Sequence, residues 1–131
     1  MSKSYTILLL EDEPLILMDL EFAAQDRGCE ALSATNCEEA IDLLDSQGSI
    51  DVAVLDVSLG KGCNCVPVAD ELKRRQIPFI LHSGDLDRNE ERVHELAAPL
   101  IAKPASAEKV IAAAIICSEG EDPAGIGVAA E

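Results

Sequence analysis

The sequence predicts a doubly wound α/β domain built on a five-stranded parallel sheet, and three observations predict it. Short apolar runs recur at residues 5–10, 30–35, 50–55, 77–82 and 99–102. Segments of helical periodicity separate them, so the pattern alternates strand and helix along the whole chain. The strands are continuous rather than alternating in polarity, which suits a parallel sheet covered by helices on both faces. A length of 131 residues fits one such domain.

The elements follow in order. YTILLL at 5–10 is a short aliphatic run stopped by Glu11-Asp12-Glu13, the profile of a buried strand. Pro14 stands where the first turn of a helix tolerates it. Leu15, Leu17, Met18, Phe22 and Ala23 then recur at near-helical spacing until Gly28 supplies a stop. Residues 30–35 form a weaker strand. Asn36 can cap the next helix, with Glu39 three residues on, near a capping-box pattern. Ala40, Ile41, Leu43 and Leu44 are its apolar face, and Gly48 ends it.

IDVAVL at 50–55 is a strong strand ending at Asp56, followed by a loop over 57–65 and a third helix over 66–75. IPFILH at 77–82 is another strong strand, ending at Ser83-Gly84. Residues 85–97 are polar and carry one short helix. Residues 99–102 are a short apolar strand ending at Lys103-Pro104, and the Ala- and Ile-rich stretch 105–117 is the last helix. The sequence thus divides into a domain over 1–117 and a flexible acidic tail over 118–131, rich in Gly, Pro and acid.

Composition narrows the function. Ten Lys and Arg stand against 25 Asp and Glu, a net charge of −15, which argues against nucleic acid or an anionic membrane surface as partner. Aromatic residues are 2% of the chain, too few to build stacking platforms for bases or flavins. No apolar run approaches the ~20 residues of a membrane span, and the N-terminus lacks a signal-peptide core. Five Cys at irregular spacing read as free thiols of a cytoplasmic protein rather than a disulfide framework. Cys63-x-Cys65 is the one close pair, read as ordinary loop thiols because no second pair completes a metal site. His82 reads as a packed or hydrogen-bonded core residue.

In a parallel α/β sheet the site lies at the carboxyl ends of the strands. That rule selects Glu11-Asp12, Asp56, Ser83-Gly84 and Lys103. Three carboxylates beside one ammonium form a cluster of net negative charge, which a divalent cation would neutralise. Oxygen-only ligands select a hard ion, and Mg²⁺ accepts one or two carboxylates while keeping waters. Mg²⁺, a carboxylate, a Lys and a hydroxyl together suit phosphoryl transfer.

LLLEDEP at 8–14, VLDVSL at 54–59, LHSG at 81–84 and AKP at 102–104 resemble the motifs of bacterial response-regulator receiver domains, in the right order and each at a strand end. The resemblance spans residues 5 to about 117 and implies a flavodoxin-like receiver fold. By it, Asp56 is the phosphoacceptor, attacking the phosphorus of a phosphohistidine on a histidine kinase or phosphotransfer protein. Glu11, Asp12, Asp56 and the backbone carbonyl of Ser58 are the ligands of Mg²⁺, for which Mn²⁺ can substitute. Lys103 binds the phosphoryl group, and the Ser83 hydroxyl bonds it and acts as a switch. Gly84 allows close approach of the phosphoryl oxygens. Ser58 and Asp85 tune dephosphorylation, and Lys103-Pro104 matches a peptide bond usually cis in the family. Leu100 stands where receivers usually carry a switching Tyr or Phe.

The resulting expectation is a phosphoacceptor receiver of a two-component phosphorelay, of the stand-alone type and similar to alphaproteobacterial examples. It would be a monomer or weak homodimer that signals through protein contacts to a further protein target, without an output domain. It would not be an enzyme beyond Mg²⁺-dependent self-phosphorylation and dephosphorylation. Two alternatives remain open at this level: a pseudo-receiver that binds partners without phosphorylation, and a small-molecule phosphohydrolase. The second would need a general acid two residues past the nucleophile, where this chain has Ser58. A flavin carrier fits worse, since Glu-Asp-Glu-Pro in the first loop repels phosphate.

Overall fold

The structure is a computed structural model of the chain, and it describes residues 5–47, 49–57, 65–83, 98–103, 105–120 and 127–128. In chain order the elements are β1 (Thr6–Leu10), α1 (Pro14–Asp26), β2 (Glu30–Ala34), α2 (Cys37–Ser46), β3 (Val52–Asp56), α3 (Val66–Arg74), β4 (Phe79–Ser83), β5 (Pro99–Ala102), α4 (Ala107–Ser118) and β6 (Gly127–Val128). The sheet order is β2-β1-β3-β4-β5-β6, and the first five strands are parallel, as the sequence predicts. The short helix expected over 85–97 lies outside the described residues.

Local signals place the helix ends. Pro14 opens α1, whose end is turned by Gly28 at φ 76°, a conformation that costs glycine little. The Asn36 side chain accepts a hydrogen bond from the Glu39 amide at 2.8 Å, and Glu39 reaches back to the Thr35 amide at 2.7 Å. Ser106, one residue later than the predicted start, caps α4 by accepting from the Lys109 amide at 3.1 Å.

Side chains alternate across each strand, so the sheet feeds two separate cores. Leu8, Leu10, Ala53, Leu55 and Leu81 pack under α2 and α3 against Leu44, Val68 and Leu72. Ile7, Leu9, Val54, Ile80 and Ile101 pack under α1 and α4 against Leu20, Ala24, Val110 and Ile111. Charged groups tie the first layer together. Glu71 pairs with Arg74 and Arg75, and Arg75 also bonds Asp45 and donates to the Leu44 carbonyl at 2.6 Å. These guanidiniums, Arg74 first and then Arg75, pull the Glu71 carboxyl down to about 2. On the other layer Tyr5 donates to Glu119 at 2.7 Å, joining the start of β1 to the end of α4.

The apolar residues of α1 fall on two faces: Leu17, Leu20, Ala23 and Ala24 are buried, whereas Leu15, Met18 and Phe22 are 73%, 41% and 57% exposed. The helix is apolar around most of its circumference, so two stripes of helical spacing exist and only one meets the sheet. The tail read as wholly flexible contributes β6, which pairs antiparallel with β5 through Pro99 with Val128 and Leu100 with Gly127. Without it β5 would offer an open edge of unpaired backbone groups.

Candidate functional site

The carboxyl ends of the strands bring the predicted charged residues together. Leu9, Val54, Ile80 and Ile101 face the α1–α4 core. With a side-chain period of two, Glu11, Asp56, His82 and Lys103, each two residues further on, belong to that same side. Register sets their neighbours: Asp56 pairs with His82 and Ser83 with Ala102. The Lys103 amide donates to the Ser83 carbonyl at 2.7 Å, which fixes the start of the loop beyond β5.

The carboxylate oxygens of Glu11, Asp12 and Asp56 all lie within 4.8 Å of one another. Glu11 and Asp56 are buried, with 1% and 3% of their surfaces exposed. Lys103 sits between them, its Nζ 3.1 Å from Glu11 Oε2 and 3.3 Å from Asp56 Oδ1. Glu11 Oε1 also accepts from the Glu13 amide at 3.2 Å, which holds the first loop against the cluster. Ser83 is fully buried at the end of β4.

The electrostatics follow from burial. Burial, together with the hydrogen bond and charge of Glu11, pushes the Asp56 carboxyl up to about 8, with Lys103 opposing. Burial works against the charge on Lys103, but Asp56 and Glu11 outweigh it and raise the ammonium above its ordinary value. Burial, with the nearby Lys103 charge adding to it, drives the His82 imidazole down to about 4, so it is neutral at pH 7.

A cluster of three carboxylates that holds a proton near neutrality is a cluster short of positive charge. All its donors are oxygens, which fits a hard divalent cation such as Mg²⁺, and Glu11, Asp12 and Asp56 are the residues that could hold it. The backbone of Ser58, and Gly84, Asp85 and Cys63, lie outside the described residues. Cys29 and Cys65 are buried, and Cys37 and Cys117 are partly buried.

Sequence reasoning brought Glu11, Asp12, Asp56 and Lys103 to one place, and the structure does the same. It did not anticipate that Glu11 is Lys103's nearer carboxylate partner. Nor did it mark the exposed apolar stripe of α1, whose signal was a surplus of apolar residues over what one face can bury. No helix among the described residues is long and apolar enough to cross a membrane.

Comparison with known proteins places the whole fold. The chain is similar to SdrG from Sphingomonas melonis Fr1, a solution structure, at 31% identity and a TM-score of 0.73, covering 91% of this chain and 99% of that one. It is also similar to a response regulator receiver protein from Sinorhizobium medicae WSM419, at 23% identity and a TM-score of 0.73, over 89% of this chain and 96% of that one. The receiver domain of NtrX from Brucella abortus gives 24% identity and a TM-score of 0.73, over 86% and 98%. The last two, at such identities, speak for the fold alone. No curated protein matches the chain in sequence. The family model for the response regulator receiver domain matches residues 7–115, and the chain belongs to that family.

Proposed function

We propose that this chain is a working phosphoacceptor receiver, with Asp56 as the residue that takes the phosphoryl group. The observation that carries this reading is the buried Asp56 carboxylate, flanked by Glu11 and Asp12 within 4.8 Å and by the Lys103 ammonium at 3.3 Å. Glu11, Asp12 and Asp56, with the Ser58 carbonyl, would hold Mg²⁺ or Mn²⁺. The cation, when bound, supplies charge neutralisation for the carboxylates and for the phosphoryl oxygens.

The chain's own residues do the rest. An ionised Asp56 oxygen attacks phosphorus in line, the P–N bond to the donor imidazole breaks, and the electron pair stays with that imidazole, which takes up a proton. Lys103, already between Glu11 and Asp56, pairs with an equatorial oxygen of the arriving group. The Ser83 hydroxyl donates a hydrogen bond to another, and Gly84 leaves room for a third. Asp85 and Ser58 govern access of the water that later hydrolyses the acyl phosphate.

The donor would be a histidine kinase or histidine phosphotransfer protein. The exposed Leu15, Met18 and Phe22 lie on the helix that begins three residues past Glu11, and they form the apolar surface on which that donor would dock. Output would run by contact with a further protein in the cytoplasm, through a shift between two conformations biased by the phosphoryl group.

Incubation with acetyl phosphate, followed by intact-protein mass, tests this. One phosphoryl adduct that requires Mg²⁺ is expected. No adduct at any Mg²⁺ concentration would leave a partner-binding pseudo-receiver as the better reading.

A further inference from the structure

His82 is an anomaly in an otherwise well-satisfied core. It is 3% exposed, yet neither ring nitrogen has a hydrogen-bond partner among the described residues. A neutral imidazole carries one donor and one acceptor, and leaving both unmet in a dry interior costs a few kcal/mol by general experience, about 1–3 for each group. Natural proteins rarely accept that without a ligand or an ordered water.

The surroundings say which. His82 borders a recess of about 80 Å³ lined also by Lys103, Asp19, Ile16, Leu20 and Ala107. That is ample room for water, and polar side chains border the space. A cation does not suit it, because the Lys103 ammonium repels one and a single imidazole cannot hold one. Lys103 supplies the complement. Its ammonium has three donors, and the carboxylates of Glu11 and Asp56 can take two. An imidazole acceptor and an ammonium donor therefore border one small polar recess.

We infer that His82 is a positioning residue for Lys103, holding the ammonium through a buried water in the recess between α1 and the start of α4. The water accepts from Lys103 Nζ and donates to the unprotonated ring nitrogen. The ammonium is thereby kept from collapsing wholly onto Glu11 and Asp56, and stands ready for the arriving phosphoryl oxygen.

The kinetic consequence rests on the phosphoacceptor reading above, so the test has two arms. His82→Leu fills the site without polar atoms, and His82→Gln keeps an acceptor and a donor. With acetyl phosphate and saturating Mg²⁺, the phosphorylation rate of His82→Leu is expected to fall about tenfold, the lower end of what one hydrogen bond to a charged group is worth. His82→Gln is expected to stay within about twofold of the unaltered protein, and thermal melts of both variants check that they fold. The second arm needs no phosphorylation: NMR of the free protein is expected to show a water cross-peak to the His82 ring, and a shift of the Lys103 Nζ signal in His82→Leu but not in His82→Gln. A wild-type rate in folded His82→Leu, or no water contact at the ring, overturns the inference. A protein that takes no phosphoryl group at all sinks the phosphoacceptor reading instead, and the NMR arm then decides the water link by itself.

Discussion

Beneath α2 and α3 the sheet meets a wholly apolar core, and the helices above it are laced together by Arg75, Glu71 and Asp45. Beneath α1 and α4 the same sheet meets a second core that ends, at the strand tips, in Glu11, Asp56, His82 and Lys103. The first side leaves no large apolar side chain exposed among the described residues, whereas α1 on the second side presents Leu15, Met18 and Phe22 to solvent. Both sides grow from one alternating pattern. The difference teaches that the α2–α3 side is spent on stability, while the α1–α4 side carries the chemistry and an unburied apolar surface beside it. A residue changed on one side should therefore move folding, and on the other side function.

The largest break in that comparison is Asp56→Asn. Phosphorylation by acetyl phosphate should vanish in the mass spectrum. The metal-free protein should meanwhile gain stability near pH 8, because a buried carboxylate that resists ionisation has gone. Next comes Leu72→Ala on the opposite side, at a fully buried position of α3. It should cost about 3 kcal/mol in a denaturant titration, by the usual worth of a buried Leu, and leave the rate per folded molecule unchanged.

A pH series sharpens the chemical side. The folded Asp56 carboxyl stands at about 8, above its value in an unfolded chain. Its contribution to metal-free stability is thus present below the ordinary carboxylate range and is lost as pH rises through about 8. Mg²⁺ needs the ionised form, so its affinity should climb with pH by up to roughly tenfold per unit and level off above about 8, in calorimetric titrations. No climb would mean that Asp56 is already ionised at pH 6.

Smaller effects discriminate surfaces. Phe22→Ala should change stability by less than ~0.5 kcal/mol, as exposed sites usually do. Phosphorylation by acetyl phosphate should be untouched, while transfer from a phosphorylated protein donor slows several-fold. Smallest of all, Arg74→Ala should lower the melting temperature slightly at low salt and hardly at all at high salt, since the Arg74 side of its ion pair with Glu71 faces solvent.

Much of this was legible in the sequence, for identifiable reasons. The runs TILLL, VAVLD and FILHS are too short for helices and too apolar for an exposed sheet, so strand and burial follow together. Each run stops at a polar residue, and the strand-end rule gathers Glu11, Asp56, Ser83 and Lys103 at one edge. Parity along the strands even assigns Glu11, Asp56, His82 and Lys103 to a common face. What spacing could not supply was competition between equally good answers. Leu15, Met18 and Phe22 have the same helical spacing as Leu17, Leu20 and Ala24, and only the direction of the chain leaving β1 decides which set meets the sheet. The pairing of Gly127 and Val128 with β5 was illegible because two residues carry no periodicity. The polar isolation of His82 depends on what α1 and α4 place around it, which no local pattern records.

The central claim is that the carboxyl group of Asp56 itself carries the phosphoryl group. Borohydride reduction of the acetyl-phosphate-treated protein converts an acyl phosphate into homoserine, and peptide mass mapping locates the converted residue. The account predicts homoserine at position 56 alone, only in samples that contained Mg²⁺. Conversion at Glu11 or Asp12 instead, or an adduct that resists borohydride, would contradict it.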